Sequence, residues 1–291
     1  MTPVAWGVIV TLSVLLVALV AGLLGARRRA QRLRERLEAA SAELERLELA
    51  FARFAPHAVV ERVIARGVST QGERKEVTVP FADLVDFTPL TERVDPAVLV
   101  GILNGYFERM SGAISEHQGH ISTLIGDGIL ALFGAVEPNP WQSNDATHAA
   151  LAMRAALAKY NGELAAAGLP TLAVGIGLHR GTGVAGLVGS QDLVQFTVVG
   201  STVTIAARVQ DLTRAHGVDI LATQAVRAAL DPRFTLRPVP PGVLRGIADP
   251  VPLWAVEDFV AVSGTAGHGA GRGPSPVEPS PGGGSPERHG A

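Results

Sequence analysis

The chain has 291 residues, with 25 Lys plus Arg against 27 Asp plus Glu and a formal net charge of −2. That near-balance excludes the basic excess of a nucleic-acid binder, and 47% hydrophobic with 18% charged residues excludes a chain disordered throughout. No cysteine is present, which removes disulfides, thiolate metal ligands and cysteine nucleophiles.

Val4–Ala26 reads VAWGVIVTLSVLLVALVAGLLGA, without a charge and long enough to cross a bilayer as a helix. Arg27, Arg28 and Arg29 follow, which by the positive-inside rule keeps the rest of the chain cytoplasmic. Residues 1–26 are predicted as a transmembrane helix, the single pass of an inner or plasma membrane protein. A cleaved signal peptide is the alternative, disfavoured by the absence of Lys or Arg ahead of the run and by its length. In residues 27–70, Leu33, Leu37, Ala40, Leu44, Leu47, Phe51 and Phe54 recur at alternating steps of four and three. This is a heptad seam flanked by Arg and Glu, predicted as a parallel coiled coil or linker helix. An amphipathic helix packed on its own domain is the plainer reading.

Residues 71–259 alternate strand and helix patterns. Strands are predicted at Val77–Phe81, His120–Ile125, Ile129–Phe133, Thr171–Leu178, Gly183–Leu187, Val194–Val199, Asp219–Leu221, Phe234–Arg237 and Pro252–Val256. Helices are predicted at Asp95–Gln118, at Asp145–Ala166 with a cap at Asn144 or Asp145, and at Thr202–His216, with a short one ending at Leu230. The mixture implies an α+β domain with a largely antiparallel sheet flanked by helices. In residues 260–291 the tail is different: 18 of the 31 residues from Ala261 are Gly, Pro or Ser, a composition that reads as disordered.

Two acidic residues sit at strand ends. Asp83 follows VTVPF, and Asp127 lies in the tight turn Gly126-Asp127-Gly128. Each alone reads as a turn or cap residue, whereas a pair of carboxylates can hold one or two Mg²⁺ ions and, through them, phosphate oxygens. The Gly-rich GTGVAGLVG has neither the ending of a P-loop nor the spacing of a dinucleotide fingerprint. His179 reads as structural.

QGERKEVTVPFADLVDFT (71–88), IGDGILALFG (125–134), GIGLHRGTGVAGLVGS (175–190), FTVVGSTVTIAARVQ (196–210) and LRGIADPVPLWAV (244–256) together resemble the class III adenylate/guanylate cyclase catalytic domain. FARFAPHAVVERVIARG (51–67) resembles the lead-in to such domains in bacteria. The resemblance implies a ferredoxin-like, palm-type fold. It also implies cyclisation of a nucleoside triphosphate, ATP or GTP, to the 3′,5′-cyclic monophosphate and pyrophosphate. The site it implies uses two divalent metal ions, Mg²⁺ or Mn²⁺, and lies across a homodimer interface. Carried over by position, Asp83 and Asp127 match the metal-binding aspartates, and Leu84, Val85, Asp86, Phe87 and Thr88 the loop whose backbone cradles phosphates. Arg208 matches the transition-state arginine, and Arg245 stands where a lysine usually contacts the triphosphate.

Four positions depart from the family pattern. Thr123 replaces the base-reading lysine, and its partner position is Thr197. Thr204 replaces the asparagine that orients the ribose. Asp86 replaces a glycine of the phosphate loop. Pro80 falls inside a central strand and removes a ladder donor. Two readings follow: an active, membrane-anchored cyclase, and a degenerate cyclase homology domain that binds nucleotide, regulates, or supplies half of a heterodimer.

Overall fold

In a computed structural model of the chain, residues 72–190 and 194–260 are described, together with Gln31, Arg34 and residues 36–43, which are helical. The predicted membrane span and the lead-in lie outside the described residues, as do the Gly/Pro/Ser tail and all of the heptad seam except Leu37 and Ala40, which are exposed. Among the described residues no helix is long and apolar enough to cross a membrane.

Eight strands form one sheet: β1 Glu73–Leu84, β2 His120–Ile125, β3 Gly128–Leu132, β4 Val174–Gly189, β5 Val194–Val199, β6 Ile220–Thr223, β7 Phe234–Gly242 and β8 Val251–Phe259. Their order is β2-β3-β1-β4-β6-β8-β7, and β5 pairs with the far half of β4. Every pairing is antiparallel except β4 with β6. The helices are α1 Phe87–Thr91, α2 Pro96–Glu116, α3 Gln142–Ala166, α4 Ser201–His216 and α5 Gln224–Arg227.

Side chains alternate across β1 and sort the core into two faces. Ala82 and Leu84 pack with Ile102, Tyr106 and Met110 of α2 and Met153 and Leu157 of α3. Val77 and Val79 point the other way, to Phe196, Val198 and Ala206 of α4. Asp83 shares the parity of Val77 and Val79, so it lies on the α4 face. Its strand partner on β4 is Gly175. A Cβ at Gly175 would run into Thr213 and Gln210, and one at Gly177 into the Gln210 amide and the Ala206 carbonyl. These glycines let α4 lie directly on β4.

Asp95 caps α2 by accepting from the Ala97 and Val98 amides at 2.9 and 3.4 Å. The cap expected for α3 does not form. The helix starts at Gln142 after Trp141, with no side-chain cap. Asn144 instead accepts the Asp231 amide at 2.8 Å, and Asp145 accepts from the Asn139 side chain at 2.6 Å. The two strands expected at Thr171–Leu178 and Gly183–Leu187 are one continuous β4, because β1 pairs with it residue by residue from Glu73↔Ala185 to Leu84↔Val174.

Pro80 sits in the middle of the sheet. Thr78 and Phe133 exchange both backbone hydrogen bonds, at 3.1 and 2.9 Å, and pairing resumes at Phe81↔Leu130. Hydrogen-bonded pairs recur at every second residue, so the missing N–H falls opposite Ala131 of β3. A residue's N–H and C=O point to the same neighbour, and the β1–β4 ladder therefore passes through Pro80↔Leu178 unbroken. The cost is confined to one bond, about 1 kcal/mol net.

Candidate active site

Asp83 is the penultimate residue of β1, and Asp127 lies in the β2–β3 turn that Gly126 closes at φ 64°. The fold brings the two half-buried carboxyls close enough for Asp127 to act on the proton of Asp83. Gly128 makes room for the pair: a Cβ there would stand 3.1 Å from Asp83 Oδ1. Burial first, then the charge of Asp127 and the hydrogen bond to it, and the charge of Asp211 on α4, push the Asp83 carboxyl up to about 6. The Leu84 amide, which donates to the carboxylate, opposes this. Two oxygen-donor side chains held together against their own repulsion fit a hard divalent cation, which completes its shell with water and phosphate oxygens. Among the described residues no cluster of three or more metal-ligating side chains is present, so the donor set is that of a carboxylate pair.

Leu84–Thr88 runs from this pair into α1. The Val85 amide donates to the Ala173 carbonyl at 2.8 Å, so that N–H is engaged within the protein. Asp86 precedes α1 in the left-handed region, at φ 57° and ψ 35°, and offers no side-chain cap to the helix. A left-handed position explains why glycine suits it and why aspartate is among the residues that tolerate it. Its carboxylate turns out to Arg214 of α4, at 2.7 Å. Phe87 and Thr88 open α1, where the first amides of a helix have no partner within it.

The other expected residues lie on α4, on the loop between β7 and β8, and on β2 and β5. Thr204 and Arg208 stand one turn apart on α4. Arg208 Nη1 donates to the Arg245 carbonyl, and Gly246, at φ 78°, lies beside that guanidinium. The Arg245 side chain is exposed. Thr123 and Thr197 occupy β2 and β5, which are tied together by Ser122 Oγ donating to the Phe196 carbonyl at 3.0 Å and by Gln195 donating to the Ser122 carbonyl. A register shift in β2 between Ile121 and Thr123 marks this point. Within one chain Arg208 is directed to the Arg245 loop, whereas the charges acting on Asp83 are those of Asp127 and Asp211.

Sequence reasoning missed Asp211 and Arg214. Stepping along α4 from Thr204 through Arg208 by helical spacing reaches Asp211, so the first was accessible. The second required knowing that α4 ends beside α1.

Residues 70–255 match the family described as the adenylate and guanylate cyclase catalytic domain. The chain belongs to that family, and its mixed sheet flanked by helices is the cyclase catalytic fold. It is 35% identical over 184 residues to an adenylate cyclase of Anabaena cylindrica, covering 60% of this chain and 36% of that one. It is 30% identical over 217 residues to adenylate cyclase 1 of Rhizobium meliloti, covering 74% and 33%. The chain thus spans about a third of the length of these curated relatives. The crystal structure of the guanylyl cyclase Cya2 superposes with a TM-score of 0.61 at 31% identity, over 67% of this chain and 98% of that one.

Proposed function

We propose that the chain is a nucleotide cyclase converting ATP to 3′,5′-cyclic AMP and pyrophosphate at the interface of a homodimer. The observation that carries this reading is the contact of Asp83 with Asp127 at the mouth of the Leu84–Thr88 loop. The 3′-oxygen forms a bond to the α-phosphorus, the bond from that phosphorus to pyrophosphate breaks, and the hydroxyl proton is released. Asp83 and Asp127 would hold Mg²⁺ or Mn²⁺, which when bound would lower the pKa of the attacking hydroxyl and neutralise phosphate charge.

The chain's own groups divide the remaining work. The amides at the start of α1 receive phosphate oxygens. Arg208 stabilises the charge that develops at the α-phosphate, and Arg245 holds the outer phosphates. Thr204 orients the ribose through its hydroxyl. Thr123 and Thr197 face the base with hydroxyls that donate or accept. Arg208 is directed to the Arg245 carbonyl of its own chain, and the reading, following the family resemblance, takes Arg208 and Thr204 from the second copy. Val184, Val188, Val194 and Val199, 40 to 55% exposed along the β4–β5 ribbon, offer apolar surface for that copy. We further place the enzyme on an inner or plasma membrane, single-pass, with its domain cytoplasmic. The apolar run and the three arginines after it support this, and the heptad seam supports parallel pairing.

A second reading, a catalytically degenerate domain that binds nucleotide or completes a heterodimer, is favoured by Thr123 and Thr204, which remove a charged base contact and an amide donor. Purified residues 27–291 are incubated with ATP and GTP separately, with Mg²⁺ and with Mn²⁺, and products are identified by mass spectrometry. A cyclic product that Asp83→Asn and Asp127→Asn each reduce at least about 100-fold establishes the cyclase and its base. Nucleotide binding with no product under any condition establishes the second reading.

A further inference from the structure

The end of the sheet that holds Asp83 and Asp127 also faces Asp211. Asp86 adds a further carboxylate on the loop that, in the reading above, receives a polyanionic triphosphate. Left alone, that charge would repel the ligand. Its one described contact is the ion pair to Arg214, at 2.7 Å, between side chains that are 55% and 69% exposed. Arg214 belongs to α4, the helix that also carries Thr204 and Arg208. The loop is therefore anchored twice: through the Val85 amide to Ala173, and through Asp86 to α4.

We infer that Arg214 is a positioning residue for nucleotide binding, which neutralises Asp86 and holds the Leu84–Thr88 loop against α4. The inference rests on the cyclase reading and adds a residue to it. An exposed pair contributes little to folding stability, so Arg214 acts on the ligand's electrostatics rather than on the fold. Asp86 keeps a left-handed backbone that glycine adopts at no steric cost. Removing the carboxylate therefore removes the need for the arginine.

The full chain is titrated calorimetrically with α,β-methylene-ATP and Mg²⁺ at low and high salt, and KM and kcat are measured in parallel with ATP. Arg214→Ala is expected to weaken binding and raise KM by about three- to tenfold with kcat within about twofold, and the loss shrinks at high salt because screening shortens the range of the bare Asp86 charge. Arg214→Lys keeps the charge and most of the affinity. Asp86→Gly alone tightens binding, and Asp86→Gly/Arg214→Ala recovers at least the parent affinity. Arg237→Ala, which opens a remote pair with Glu257, controls for net charge and leaves binding unchanged. An Arg214→Ala chain that binds like the parent, or a double variant as weak as Arg214→Ala, overturns the inference while leaving the cyclase reading intact. A parent chain that binds no nucleotide with Mg²⁺ overturns both.

Discussion

Asp83 is the residue whose titration reports on the carboxylate pair. Its native carboxyl is pushed up to about 6, chiefly by burial and by Asp127, from an ordinary 3.8. The native state then holds its proton more tightly than the unfolded chain, so unfolding releases a proton across that window and stability falls as pH rises. The contribution is full below about pH 3.8 and gone above about pH 6. In EDTA, the unfolding temperature of the parent should fall relative to Asp83→Asn as pH is raised from 4 to 7. The two curves running parallel would show that Asp83 carries no shifted proton. On the proposed reading Mn²⁺ would compete with that proton, so its stabilising effect should grow through the same window. The two aspartates were legible in the sequence through the resemblance of the motifs around them, since position at a strand end alone reads as a turn or cap. The state of Asp86 was not: its backbone angle and its partner on α4 depend on where two distant segments meet.

Helix α4 is fixed against β4 by absent side chains. At Gly177 a Cβ would overlap the backbone of Gln210 and the Ala206 carbonyl, neither of which can swing away as a side chain would. Gly177→Ala must push α4 off the strand, at a cost of about 1–3 kcal/mol or more, and it displaces Thr204 and Arg208 with the helix. We expect a lowered unfolding temperature and a kcat reduced more than KM is raised. An alanine variant with the parent's unfolding temperature and kcat would show that α4 does not rest on this glycine. Sequence periodicity misread another part of β4. Residues 179–182, Gly181 among them, read as a break, yet β1 holds that stretch extended. Five-residue α1 has too few residues to show a period. Strand β7 continues through Pro238, Pro240 and Pro241 because it is an edge strand and its register with β8 shifts between Val239 and Gly242. The long helices and the β2–β3 hairpin were readable, since their apolar spacing and the Gly-Asp-Gly turn are local signals.

At the scale of the whole molecule, the proposed homodimer draws the carboxylate pair and the Arg208 of one site from different chains. That division makes a quantitative prediction about mixtures. Asp83→Asn chains lack the metal half of every site, and Arg208→Ala chains lack the transition-state half, so each homodimer is inactive. In a mixed dimer of the two, one site collects both defects and the other collects none. With equal amounts and free exchange, half of the dimers are mixed and one of their two sites is whole, so activity should return to about a quarter of the parent's. The measurement is cyclase activity of the separately purified variants before and after mixing, with light scattering to establish that dimers form. Recovery absent in a demonstrably mixed dimer would place Arg208 in the same site as the Asp83 of its own chain. Substituting Val188→Glu on the exposed β4–β5 ribbon in both variants should abolish the recovery by preventing pairing, because a charge buried at an apolar interface without a partner is strongly disfavoured. Recovery that persists with the dimer preserved would move the interface away from the ribbon and leave the division of the site standing.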